Sequence, residues 1–307
     1  MAKITRTTRT VKTTRTVKTT KAGRVVRRTK TVRHTRTVKV GRGPRPNGLV
    51  LYRGPSMLTG EPIVVVAVGF ARRSKNAKTG GMVAVYILAD GDEVPHAAVK
   101  SGADAAVCGD CPHRGASCYV NVSQAPLAIY RKAKRGAYPA FHPPVHLDWL
   151  AGRFVRLGAY GDPAAVPYHV WHLITGAAAG WTGYTHQWRT CDPRLARLCM
   201  ASCDTPAQQE TATAAGWRTF RIRLDEQDAL LPGEFVCPAS AEAGKRLTCA
   251  QCRACNGAKR GGRNVSPAII WHGPDNGAGR HAHGLFRATV ARLTAAEGRR
   301  VSLATLN

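Results

Sequence analysis

The chemistry in this chain is concentrated in its cysteines. Three lie in one Gly-broken loop, Cys108-Gly-Asp-Cys111-Pro-His-Arg-Gly-Ala-Ser-Cys118-Tyr119. Four more follow downstream, Cys237 and then Cys249-Ala-Gln-Cys252-Arg-Ala-Cys255. A Cys-x2-Cys step lets one tight loop supply neighbouring ligands, which zinc and iron–sulfur cubanes both require. The two consecutive x2 steps from Cys249 to Cys255 favour iron–sulfur, since zinc sites more often use two separated knuckles. The distal four can close a site, and the proximal three are one ligand short. Either His113 or another side chain completes a zinc site there, or one iron stays open for a substrate or cosubstrate. Of the remaining thiols, Cys199 reads as a small core residue. Cys191 and Cys203 fall at loop positions where they could serve as extra ligands.

A second set of polar residues sits where predicted strands end: Asp162, His186 with Gln187, Asp204, Cys237 and His272. In parallel α/β folds the C-terminal ends of strands form the face on which active sites assemble. Asp162, His186, Gln187 and Asp204 are therefore the candidate catalytic residues. Asp162 and Asp204 are also well placed as helix N-caps, which is the simpler role for either one alone.

The elements that would hold these groups follow from hydrophobic pattern. Leu49–Arg53, Ile63–Phe70 and Met82–Leu88 read as strands, the last two joined by the turn at residues 76–81. From residue 123 onward, strand and helix patterns alternate. Helices are predicted over 124–134, 164–179, 193–197 and 206–215, and strands over 154–157, 181–184, 198–201, 218–222, 234–236 and 268–271. That rhythm implies a parallel sheet with right-handed crossovers. The expected fold is α/β, a partial or irregular (β/α) barrel with an N-terminal antiparallel β piece and a disordered basic tail. The divisions are a tail and linker at residues 1–48 and one metal-binding domain at 49–300. Within that domain the antiparallel piece spans 49–100, and the βα units with both cysteine groups span 101–285.

Charge sets the partner. The formal net charge is +28, no acidic residue precedes Glu61, and residues 1–45 hold 16 of the 46 Lys and Arg. The Arg-Thr-Val-Lys repeats at residues 9–12, 15–18 and 36–39 offer little apolar area, so residues 1–46 are expected to be disordered when free. They suit non-specific phosphate contacts with nucleic acid, gaining affinity by counterion release. Lys100, Arg131, Lys132, Lys134 and Arg135 add positive potential near the first cysteine loop. No apolar run is long enough for a transmembrane helix, so no membrane partner is expected. An N-terminus without an apolar signal region, together with ten cysteines, points to metal or redox work in a reducing cytoplasm.

Three cysteines in one loop, the last followed by the aromatic Tyr119, then a helix and a run of βα units, resemble the radical SAM superfamily and its phage-encoded relatives. The order of features from 83–88 through 108–114 to 255–257 and 269–273 is also similar to an uncharacterised group of phage and prophage proteins, over residues 49–285. The resemblance implies a 4Fe–4S cluster on Cys108, Cys111 and Cys118, with S-adenosylmethionine on its free iron. It implies an auxiliary cluster on Cys237, Cys249, Cys252 and Cys255, and a bacterial host cytoplasm. Gly158 and Gly161, ending the next strand, are the cofactor-binding candidates under it. The spacing is this chain's own: x2 and x6, where the superfamily has x3 and x2.

Two other readings compete. Zinc in place of iron–sulfur would make the chain a non-catalytic, zinc-stabilised nucleic-acid-binding protein. His281-Ala-His283 has the form of a rolling-circle nuclease's metal motif, with Tyr130 as nucleophile for strand nicking. His142 with His146, and His169 with His172, also have chelating spacings, although packing is the simpler role for both pairs.

Overall fold

The computed structural model describes residues 7–21, 24–38, 45–74, 76–244, 246–259, 265–272 and 277–304. Two compact units divide near residue 45. In the first, β1 (Thr7–Lys21) and β2 (Arg24–Val38) form an antiparallel ribbon in continuous register from Thr7 opposite Val38 to Lys21 opposite Arg24. Composition alone predicts disorder here. The ribbon is compatible with the sequence because Thr and Val are β-branched and suit extended backbone.

The second unit is mixed α/β. Its strands are β3 (Gly48–Pro55), β4 (Pro62–Val68), β5 (Val83–Ala89), β6 (Phe154–Tyr160), β7 (Gly180–Thr185), β8 (Met200–Cys203), β9 (Thr219–Arg223), β10 (Glu234–Val236) and β11 (Ser266–Ile270). They form one nine-stranded sheet in the order β3, β4, β5, β6, β7, β8, β9, β11, β10. The pairs β3–β4 and β4–β5 are antiparallel, and every pair from β5 onward is parallel. The sheet is mostly parallel and is not closed into a barrel. From β3 to β9 each strand neighbours the next in sequence, as in a barrel wall. Right-handed crossovers in that order all return on one side.

The helices are α1 (Pro95–Ser101), α2 (Ala105–Cys108), α3 (Ala125–Lys134), α4 (Pro143–His146), α5 (Tyr168–Ala177), α6 (Pro206–Ala214), α7 (Cys249–Cys252) and α8 (Gly277–Ala304). β4 carries an unbroken apolar run, and Ile63 through Ala67 are all buried, as a strand covered on both faces requires. Capping fixes several helix starts. Thr205 accepts from the Gln208 amide to open α6, and Thr248 with Gln251 forms a capping box on α7. The long α8 is absent from the sequence-based elements because its glycines read as loop. It forms because Phe286, Thr289 and Val290 share one buried stripe. Among the described residues no helix is long and apolar enough to cross a membrane.

Candidate functional site

Asp162, His186, Gln187 and Asp204 do gather at the C-terminal ends of β6, β7 and β8, but they do different things. Asp162 Oδ1 accepts from the Ala164 amide at 2.9 Å and Oδ2 from the His186 amide at 2.8 Å. Its own amide donates to the Val107 carbonyl at 2.6 Å. Gln187 Nε2 donates to the Cys108 carbonyl at 3.1 Å. These two residues clamp the end of α2, where the proximal cysteine loop begins, so they position the loop and do not face an open site. Arg114 holds the loop from its other side, with bonds to both carboxylate oxygens of Asp104 and to the Gly109 and Gly102 carbonyls.

Gly158 and Gly161 do not line a cofactor cradle. Both have positive φ, and a Cβ on Gly158 would meet the Gly161 carbonyl oxygen at 2.6 Å. One on Gly161 would meet the Ile87 carbonyl oxygen at 2.8 Å. On the Cβ side of both glycines the space is filled by the chain's own atoms. Glycine is required there so that the end of β6 can press against β5.

Asp204 is buried and meets two histidines. His113 Nε2 lies 3.0 Å from Oδ1 and His186 Nε2 lies 3.5 Å from Oδ2. Burial works to raise the Asp204 carboxyl, but His186 and His113 beside it hold it well below the usual carboxylate range. Burial works to lower the His186 imidazole, but Cys111 and Asp204 hold it well above its ordinary value. The strand-end pattern points to His186 and Asp204 for this pocket. His113 lies inside the cysteine loop, where its spacing points to the thiol site instead.

The proximal thiols are close together. Burial pushes Cys108 up, and the nearby Cys111 and Cys118 thiols push it further. Cys111 lies beside the His186 side chain. The four distal thiols, drawn from two places in the sequence, likewise fall within reach of one another. Burial pushes Cys255 up to about 12, opposed by a bond from Tyr184 and reinforced by Cys237, Cys249 and Cys252. Lys78 and Arg156 supply positive charge beside Cys249.

The distal group does not sit on the rim with Asp162 and Asp204, as the strand-end pattern suggests. It lies over the face of the sheet lined by Arg156 of β6 and Tyr184 of β7, with Cys237 packed among Phe220, Ile222 and Ile269. Ending a strand fixes where the chain turns, not which face the next segment covers. His272 follows it there, 2.8 Å from Lys78 Nζ. Tyr119, next to Cys118, joins the two groups, its hydroxyl 2.6 Å from the Arg156 guanidinium. None of the ten cysteines is in a disulfide; Cys199 and Cys203 are wholly buried core residues.

The distal loop depends on Gly257, whose φ is +80° and whose Cβ would meet the Arg197 carbonyl carbon at 2.3 Å. Backbone must move to admit any side chain, so Gly257→Ala is expected to cost roughly 3 kcal/mol and to unseat Cys255. A thermal melt and a metal assay of the variant check this together; an unchanged melting point and metal content would show that the loop adapts.

Set against protein-family models, curated proteins and solved structures, this chain matches none. The remaining motifs do not form sites. His281 and His283 both lie on α8, two residues apart, where side chains point to different sides of a helix. His283 stacks on Trp271 at 4.7 Å, while His281 is exposed. Tyr130 is buried and its hydroxyl donates to the Gly91 carbonyl at 2.8 Å. His146 Nδ1 accepts from the His142 amide, closing the turn at α4, and His172 stacks on Tyr168.

Proposed function

We propose that the chain is an iron–sulfur enzyme acting on nucleic acid or a nucleotide. In this reading Cys237, Cys249, Cys252 and Cys255 hold one 4Fe–4S cluster. Cys108, Cys111 and Cys118 hold three irons of a second and leave its fourth iron open. One observation carries this reading. Four thiols from two stretches of the chain, Cys237 and residues 249–255, converge on one face of the sheet beside Lys78 and Arg156. Two consecutive x2 steps let one loop give three irons of a cubane a thiolate each, and Cys237 supplies the fourth.

The donor set fits a cluster in charge as well, since Lys78 and Arg156 offset thiolates that burial alone would keep protonated. A cluster supplies electron transfer, or Lewis acidity at its open iron. This chain's residues orient it: Gln187 and Asp162 fix the start of the proximal loop, and Tyr119 links that loop to Arg156 beside Cys249. The glycines that the radical SAM resemblance would use are packed against Gly161 and Ile87, so they do not fit S-adenosylmethionine and no step is derived through it. The nucleic-acid partner is supported by the +28 net charge and its concentration in the first 45 residues.

Anaerobic purification tests the proposal. A brown protein with iron and acid-labile sulfide in equal amounts is expected, its colour bleaching with dithionite. A colourless protein with stoichiometric zinc would replace it with the zinc-stabilised nucleic-acid-binding reading.

A further inference from the structure

His113, His186 and Asp204 come from three separate loops, after α2, β7 and β8, and none is needed as a thiol-site ligand. His113 and Asp204 are 5% and 3% exposed. One ligand atom from each of the three residues lies within 4.8 Å of the others. Yet His113 Nε2, His186 Nε2 and both Asp204 oxygens are buried without a hydrogen bond of usable direction. The 3.0 and 3.5 Å separations allow ion pairing, but the alignment a hydrogen bond needs is missing. Four orphaned polar atoms facing one another are costly unless something sits among them.

A metal ion accounts for the spacing. Metal–nitrogen and metal–oxygen bonds of about 2.0–2.2 Å place adjacent ligand atoms roughly 3–3.5 Å apart. The surroundings are those of a ligand set. His113 Nδ1 is 2.6 Å from Ser117 Oγ, which orients the ring and leaves Nε2 for the site. Phe286 stacks on the same ring at 5.2 Å, an apolar wall from α8. Two imidazoles and one carboxylate select a first-row transition metal over calcium or magnesium. Three protein ligands leave coordination positions open, as catalytic sites do and structural sites do not.

Those positions have somewhere to face. A cavity of about 240 Å³ opens beside His186 and Asp204, bounded by Trp188, Arg189, Gln208 and Glu297. The Arg189 guanidinium lies 3.9 Å from the centre of the Trp188 ring, putting a cation on the wall. We propose that His113, His186 and Asp204 hold a single divalent transition-metal ion whose open positions face this cavity, lined by Arg189 and by the carboxylates of Asp110 and Glu297, and take an oxygen-donor ligand. The site shares no ligand with either thiol group, so it does not rest on the cluster reading.

The test uses the full chain, freed of loosely bound metal by chelation and then titrated with zinc. Wild type is expected to bind one equivalent more than His113→Gln or Asp204→Asn, while iron, sulfide and circular dichroism stay the same across all three. Equal zinc stoichiometry in wild type and variants would overturn the site and leave Asp204 as an ion-pair partner only. Should either variant fail to fold, zinc K-edge absorption on the wild type decides. A nitrogen and oxygen shell with imidazole scattering supports the site; zinc bound by sulfur alone, or no zinc bound, overturns it. Loss of iron and sulfide with the zinc equivalent intact would sink the cluster reading and leave this one standing.

Discussion

Cys255→Ser is expected to strip the distal cluster, lowering iron and sulfide by about half if both thiol groups are loaded. Cys255 is the most constrained of the four. Its thiol is buried and bonded to Tyr184, and its carbonyl accepts from the Gly183 amide at 3.0 Å. Serine there keeps the backbone in place but cannot supply a thiolate, and its shorter reach leaves an iron without a ligand. Cys199→Ser is the matched control. Cys199 is equally buried, and its sulfur sits where a Cβ on Gly183 would come within 2.7 Å, on the core side of β7. That substitution should lower stability and leave the metal content alone. If both variants lose iron equally, the loss reflects a loosened core, and the four thiols are not the ligand set. Iron assay, sulfide assay and visible absorption on the three proteins make the comparison.

The sequence made the βα rhythm legible because it is local. An apolar run such as 62–68, or Asp162 before Pro163, carries its own meaning within a few residues. The gathering of Asp162, His186 and Asp204 at strand ends followed from that rhythm. What the sequence hid was long-range or directional. Cys237 and His272 also end strands, yet the chain after β10 folds across the sheet face, where Arg156 and Tyr184 meet it. His113 was visible inside the cysteine loop, but nothing nearby marks Asp204, 91 positions later, as its neighbour. The helix α8 was obscured by Gly277, Gly279 and Gly284, whose low propensity is outweighed by the burial of Phe286.

The largest stability effect is expected at Glu234, the first residue of β10. Its carboxylate is fully buried and takes three bonds from the Arg221 guanidinium, at 3.0, 3.2 and 2.9 Å. It also accepts from the Leu231 amide at 2.9 Å. Arg221 is itself 1% exposed, and its other partners are Asp228 and the Ala229 carbonyl. Glu234→Ala leaves that guanidinium buried with half its compensation gone. Breaking a buried pair from one side costs about 3–5 kcal/mol, or a fall in melting temperature of roughly 6–15 °C for a domain this size. The effect should reach the metal too. β10 is an edge strand paired only with β11, and Cys237 follows directly from it. A double variant, Arg221→Met with Glu234→Leu, separates charge from shape. Apolar replacement of a whole buried pair is close to neutral, so the double variant should recover most of the lost stability. Asp228, partly exposed, can turn to water when its partner goes. A double variant as unstable as Glu234→Ala would mean that the bonds to Asp228 and Ala229, and not the unpaired charge, hold β9 to the loop before β10.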